Sequence, residues 1–165
     1  MRIIGIDPGL DTTGYGIIED NNERFKLLEA GIIQTSSSRP IQDRLKKLYR
    51  AINELIKKFR PNTLVIEKLY SHYKHPVTAL LMGHSRGVVC LASGEKDIPL
   101  ISYPAKRIRK AITGNGNASK EQVQRMVQNI MGLKQTNIPS DVTDALAAAI
   151  AHSYIKSSYK LEKYA

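Results

Sequence analysis

Cysteine is nearly absent from this chain of 165 residues, since Cys90 is the only one. A single cysteine cannot form an internal disulfide, so a reducing, cytoplasmic compartment is the expected location. Long apolar runs are absent as well, because no stretch approaches the roughly 18 residues of a membrane span. The strand-like opening from Met1 also lacks the pattern of a secretory signal. These absences favour a cytoplasmic protein without a membrane span.

Acidic residues are the minority among the charged ones. Fifteen Asp and Glu stand against 25 Lys and Arg, which gives a formal net charge of +10. Domains this basic often bind a phosphate backbone, although charge that serves only solubility is the simpler alternative. The length suits one compact domain over residues 1–165, and the polar tail at 154–165 is expected to fray.

Hydrophobic periodicity predicts an alternation of strands and helices. Period-two or continuous apolar runs predict strands near 2–7, 13–19, 25–34, 63–67 and 99–103. Apolar residues at steps of three and four, together with capping residues, predict helices over 41–59, 77–93, 104–112 and 119–132 and from 140 onward. Three strands, a helix, a strand, a helix, a strand and further helices indicate a mixed α/β fold with a central sheet.

Four carboxylates occupy positions from which they could converge. Asp7 and Glu67 each end an apolar strand, and strand ends line the functional crevice of open α/β sheets. Asp141 and Asp144 lie three residues apart at the start of a helix, and therefore on one face. Taken singly, each has a simpler explanation as a turn cap, a solvated strand end or an acid favoured at a helix N-terminus. Only the four acids taken together indicate a functional site.

The chemistry of such a set is that of a hard metal ion. Mg²⁺ prefers oxygen ligands, and carboxylates without His or Cys suit Mg²⁺ or Mn²⁺ better than Zn²⁺. Two ions held roughly 3.5–4 Å apart can activate a water and stabilise the leaving oxygen during attack on a phosphodiester. The four acids are therefore candidates for a metal-dependent nuclease site that holds two Mg²⁺ ions.

The chain also resembles a known family, the RuvC-type Holliday-junction resolvases. The resemblance covers residues 1 to about 152, in order and at family-like spacing. It is carried by residues 4–10 (IGIDPGL), 13–16 (TGYG), 65–67 (VIE), 83–88 (GHSRGV) and 141–147 (DVTDALA).

This resemblance implies a ribonuclease H-like fold with a central mixed five-stranded sheet. It implies a homodimer that binds four-way DNA junctions and nicks two strands of like polarity with Mg²⁺, in DNA recombination and repair. By motif match, Asp7, Glu67, Asp141 and Asp144 take the family's four metal-binding, catalytic positions. Some relatives carry histidine at the position of Asp141, so this chain has the all-acid set. The resemblance also implies a branch-migration motor as a partner.

Two stretches are candidates for DNA contact. Aromatic and basic residues alternate over 68–75, where exposed rings can stack on unpaired bases, although packing into the core is the alternative. The resemblance implies that Tyr70, three positions after Glu67, wedges into the junction. A second, basic group precedes and follows the glycine loop at 114–117, where a solvated helix face is the alternative. It comprises Lys106, Arg107, Arg109, Lys110 and Lys120.

The segment 77–93 predicts a helix that is apolar nearly all round. Such a helix requires burial on two sides, against its own sheet and against a second subunit. A junction with two equivalent strands also requires two sites related by a two-fold axis. The candidate interface residues are Val77, Leu80, Leu81, His84 and Val88, and Cys90 in the same segment is interpreted as a packing residue.

Three other functions compete with a DNA-junction nuclease. The first is a sugar-kinase or actin-like ATPase, because residues 5–14 resemble a phosphate loop, although 165 residues leave no room for a second lobe. The second is a related nuclease that acts on RNA with the same acids. The third is a junction-binding module without catalysis, which the complete set of four acids disfavours.

Overall fold

The computed structural model of the chain describes residues 1–69, 76–133 and 138–162. Five strands and five helices follow one another within these ranges. The strands are β1 (Arg2–Asp7), β2 (Thr12–Asn21), β3 (Arg24–Gln34), β4 (Thr63–Glu67) and β5 (Leu100–Tyr103). The helices are α1 (Ile41–Phe59), α2 (Pro76–Gly94), α3 (Ala105–Thr113), α4 (Lys120–Met131) and α5 (Ser140–Glu162).

The strands form one mixed sheet in the order β3-β2-β1-β4-β5. The strands β1, β2 and β3 are antiparallel neighbours, whereas β4 runs parallel to both β1 and β5. Because β1 and β4 are adjacent and parallel, their last residues lie at the same edge of the sheet. The predicted mixed five-stranded sheet is therefore confirmed.

Alternating side chains of the sheet enter two separate cores. Ile4 and Ile6 pack with α1 and α2 on one face, through Leu48, Ile52 and Val89. Ile3 packs on the opposite face, where buried residues of α3, α4 and α5 form the second core. The period-two pattern of β1 thus makes it a central strand with helices on both sides.

Two glycines allow α5 to lie unusually close to the sheet. A Cβ on Gly5 would lie 1.9 Å from the carbonyl oxygen of Ala145, and one on Gly14 would lie 2.0 Å from the carbonyl oxygen of Asp141. No other residue type fits at these positions without moving the helix. Both contacts fix the first turns of α5 against β1 and β2, which places that end of the helix beside Asp7.

The predicted element boundaries differ from the observed ones by at most two residues at each end, apart from the last helix, whose end was not predicted. The strand predicted near 13–19 extends over Thr12–Asn21, since its antiparallel pairing with β3 continues to the turn. The predicted helix 77–93 spans Pro76–Gly94. Within the described ranges, none of the helices combines the length and apolar character that crossing a bilayer requires.

Candidate active site

Three structural elements bring the four predicted carboxylates to one edge of the sheet. Asp7 follows Ile6, which pairs with Ile66, so Glu67 lies at the corresponding end of the neighbouring strand. On its other side Asp7 is paired with Gly14, which lies directly against Asp141. Asp144 follows on α5, nearly one turn further. The structure therefore gathers acids separated by more than 130 positions in the sequence.

The electrostatics of Asp7 show how close these acids are. Burial, followed by repulsion from Asp144, Asp141 and Glu67 in that order, raises the pKa of Asp7 from 3.8 to about 7. The pKa of Glu67 is also raised, first by burial and then by Asp144. Both shifts mean that negative charge at this edge is destabilised without a cation.

Lys120 supplies part of the missing positive charge. Its Nζ lies 2.7 Å from Oδ2 of Asp144, and this hydrogen bond is the main reason why the pKa of Lys120 is raised. Ser119 places the lysine, because its side chain accepts a hydrogen bond from the backbone N–H of Gln122 in a capping box that starts α4. The first turn of α4 thus directs an ammonium group at the acids.

The acids fit a divalent cation by their chemistry. Carboxylate oxygens are the ligands that Mg²⁺ and Mn²⁺ prefer, and the raised pKa of Asp7 reflects an excess of negative charge. Within residues 1–69, 76–133 and 138–162, however, no three acidic, histidine or cysteine side chains form a ready-made metal cage. Since Lys120 is paired with Asp144, a bound cation would compete with the ammonium group for the same carboxylate.

A cleft of about 290 Å³ opens beside the acids. Its walls include Asp7, Glu67 and Asp144, while Asp141 lies behind it against Gly14. Its basic lining residues are Lys68, Arg86, Arg109 and Lys120. We call these four basic residues the basic rim. A cleft lined by both acidic and basic side chains could hold cations and accept a phosphate.

Arg86 is a cleft residue that the sequence analysis did not identify. It lies in α2, and its Nη1 donates a 2.6 Å hydrogen bond to the carbonyl oxygen of Glu67. The bond ties the end of β4 to α2. A lone arginine among the apolar residues of segment 77–93 could have marked Arg86 as a functional residue. Its hydrogen-bond partner, however, depends on tertiary structure.

A buried arginine anchors the loop that follows Asp7. Arg44 in α1 forms an ion pair with Asp11 and donates a 2.9 Å hydrogen bond to Oγ1 of Thr35. That hydroxyl in turn donates to the carbonyl oxygen of Leu10 at 2.6 Å. Because Arg44 is 8% exposed, these contacts restrain the loop from a nearly buried position.

The predicted DNA-contact residues differ in how close they lie to the cleft. Arg109 is half-buried and lines the cleft, whereas Arg107 lies over the ring of Tyr103 at 5.4 Å from its centroid. Lys106 and Lys110 are exposed on α3. Tyr70, the predicted wedge, falls outside the described residues.

The predicted interface residues lie on the outer face of α2. Val77 and Leu80 are each 67% exposed, and His84 is exposed as well. Leu81 and Val88 are half-buried. The interpretation of Cys90 as a packing residue is wrong within one subunit, because the residue is exposed on this helix. The apolar helix therefore buries only one side in its own subunit.

Structural comparison defines the class of protein first. The chain superposes on the Thermus thermophilus RuvC in complex with a Holliday junction substrate with a TM-score of 0.91, at 31% identity over 96% of each chain. The yeast mitochondrial Holliday junction resolvase Ydc2 shares the fold alone, with a TM-score of 0.69 at 13% identity over 96% of this chain and 80% of that one. The fold is that of the ribonuclease H-like resolvases.

Sequence comparison then specifies the family. The profile described as Crossover junction endodeoxyribonuclease RuvC matches residues 3–152. The RuvC of Pelotomaculum thermopropionicum is 42% identical over 93% of both chains. That of Rhodopirellula baltica is 39% identical over 94% of this chain and 88% of its own length. The chain belongs to the RuvC family of crossover junction endodeoxyribonucleases, as its motifs predicted.

The burial of Asp7 and the repulsion from its neighbouring acids predict a pH-dependent effect of Asp7→Asn on stability. The folded pKa of about 7 exceeds the ordinary value of 3.8, so the metal-free protein loses stability as the pH rises from about 4 to about 7. The neutral amide avoids this loss. Urea unfolding in EDTA should therefore find the variant more stable by about 1–3 kcal/mol near pH 8, with a smaller difference at lower pH.

The matched control for this measurement is Asp97→Asn, which changes an exposed acid in the loop after α2. It should show no advantage that grows with pH. Parallel stability curves for wild type and Asp7→Asn across this pH range would contradict the arrangement of the acids.

Proposed function

We propose that this protein is a metal-dependent endonuclease that resolves four-way DNA junctions, by paired cuts in strands of like polarity, in DNA recombination and repair. The observation that carries the proposal is the meeting of four acids at one edge of the sheet, three of them in a cleft with a basic rim, in a chain of the RuvC family. The name of the Thermus thermophilus structure records a Holliday junction as that relative's substrate.

In this proposal Asp7, Glu67, Asp141 and Asp144 hold two Mg²⁺ ions per site, with Mn²⁺ as a substitute. The ions would activate the attacking water and neutralise charge on the leaving oxygen. Asp7 must first lose its proton, and its raised pKa of about 7 places this step near neutral pH. Metal binding would also release Lys120 from Asp144 toward the phosphate.

The basic residues of the rim would position the DNA backbone. Arg109 and Lys120 lie in the wall of the cleft, within reach of a strand that approaches the acids. Lys106, Arg107 and Lys110 extend the positive surface along α3. Lysine and arginine contacts of this kind fix register and orientation without reading sequence. We also propose that Tyr70 stacks on an unpaired base at the junction.

A homodimer would supply the second cut. The outer face of α2 presents Val77, Leu80 and Leu91, which are 67%, 67% and 55% exposed, together with glycines that leave open space above the helix. A two-fold axis through this face would place two clefts on one junction. We also propose that the protein acts in the cytoplasm and that a branch-migration motor is its partner.

The proposed function makes one prediction about cleavage. Wild-type protein should cut a mobile four-way junction in Mg²⁺ and leave a linear duplex of the same sequence intact. Asp7→Asn should lower the cleavage rate at least about 100-fold, because it removes a central carboxylate ligand. Binding of the junction without divalent ions should remain, since the basic rim is unchanged. Gel shifts and single-turnover cleavage measure the two properties separately.

Three controls separate this function from its competitors. Asp97→Asn should cleave like the wild type, which shows that the loss is specific to the acid cluster. Faster cleavage of structured RNA than of the junction would favour the RNA nuclease, and ATP binding would favour the phosphate-loop alternative. Undiminished cleavage by Asp7→Asn would remove this residue from the mechanism.

A second prediction concerns the dimer. Leu80→Glu should convert the protein to a monomer, because a charge on the exposed apolar face of α2 would be buried without a partner. Ile41→Glu is the matched control, since Ile41 is an exposed apolar residue of α1 at 39% exposure. Sedimentation should find dimers for the wild type and the control. A monomeric wild type, or a Leu80→Glu variant that remains dimeric, would reject this interface.

A further inference from the structure

A row of basic residues follows the outer face of α1, on the opposite side of the sheet from α3. Lys46, Arg50 and Lys57 are separated by four and seven residues, so they lie along one line of the helix. All three are exposed. We call these three residues the α1 row. From Lys46 to Lys57 the row extends about 16 Å.

The exposed surface of α1 carries more basic than acidic charge. Its exposed acids are Asp43 and Glu54, and its exposed basic residues are Lys46, Lys47, Arg50, Lys57 and Lys58. The two acids lie three or four residues from members of the row, so they offset part of its charge. Within the described part of the chain, no side chain of the row forms a salt bridge or hydrogen bond. The row therefore keeps a net positive charge.

One end of α1 lies next to the candidate active site. The N-terminal turn of α1 is fixed to the loop after Asp7, through the contacts of Arg44 with Asp11 and Thr35. The other end of α1 lies beside the start of β1, where Nη1 of Arg2 donates to the carbonyl oxygen of Phe59. The helix thus runs from the carboxylate edge of the sheet to the opposite edge. A polyanion that leaves the cleft past this loop would reach the N-terminal end of α1 and could continue along its outer surface.

We propose that the α1 row binds the phosphate backbone of a duplex arm that extends from the cleft. This inference rests on the proposed function, since it assumes a junction in the cleft. Successive phosphates of one strand advance about 3.4 Å along the duplex, so the row could follow about five base pairs. Its contacts would be with phosphates alone, and would therefore add affinity without sequence preference.

The test is a triple variant that removes the three positive charges of the row: Lys46→Gln with Arg50→Gln and Lys57→Gln. Its binding would be compared with that of wild type on junctions with arms of about 8 and about 25 base pairs, across a range of salt concentrations without divalent ions. On long arms the slope of log affinity against log salt should fall by about two to three, because up to three phosphate contacts are lost. The loss of affinity should be larger on long arms than on short ones.

The matched control removes the same charge at the opposite edge of the sheet, with Arg24→Gln, Lys26→Gln and Lys156→Gln. These residues are exposed in the β2–β3 hairpin and near the end of α5. The control should keep the wild-type salt slope and the wild-type dependence on arm length. Circular dichroism of both triple variants checks that they are folded.

Two outcomes would overturn the inference. Equal salt slopes for the α1 variant and the control would assign the row to another partner, such as an acidic protein surface. A loss that is independent of arm length would mean that the row does not follow a duplex arm. Failure of the wild type to bind or cut any junction is a different result, because it would reject the proposed function itself.

Discussion

The burial of Asp7 beside three other carboxylates is the constraint on which the rest of this structure depends. Separate acids on a surface would simply be solvated, but here burial and proximity raise the pKa of Asp7 to about 7. The fold keeps the acids together despite this cost because its cores lie elsewhere, on both faces of the sheet. A site that is unfavourable alone would become favourable with a bound cation, so the proposed metal site would couple stability to function.

The scaffold around the acids can be understood from this constraint. Gly14 permits Asp141 to approach β2, Arg86 fixes the end of β4 through the carbonyl oxygen of Glu67, and Lys120 offsets the charge of Asp144. Each contact joins a different element to the same edge of the sheet. Restraints of this kind keep ligand groups in position before a cation arrives, which lowers the entropy that binding must overcome.

Much of this arrangement was predictable from sequence, and the remainder has a common physical reason. Apolar strands that end in Asp7 and Glu67, and a helix that begins near Asp141, are local patterns, so they predicted the sheet, its order of elements and the acids. The bond from Arg86 to Glu67 joins residues 19 positions apart, and that of Arg44 to Asp11 spans 33. Such partners depend on tertiary packing. Cys90 was misinterpreted because periodicity alone cannot tell which side of an apolar helix its own subunit covers.

The central claim is that these acids form one cation site, in which protonation of Asp7 offsets part of the negative charge when no metal is bound. Calorimetric titration of Mn²⁺ near pH 7, in buffers with different ionisation enthalpies, measures affinity and proton release together. The wild type should bind Mn²⁺ and release protons on binding, and Asp7→Asn should lose most of both. Equal Mn²⁺ affinity in the two proteins, with no proton release by the wild type, would contradict this account.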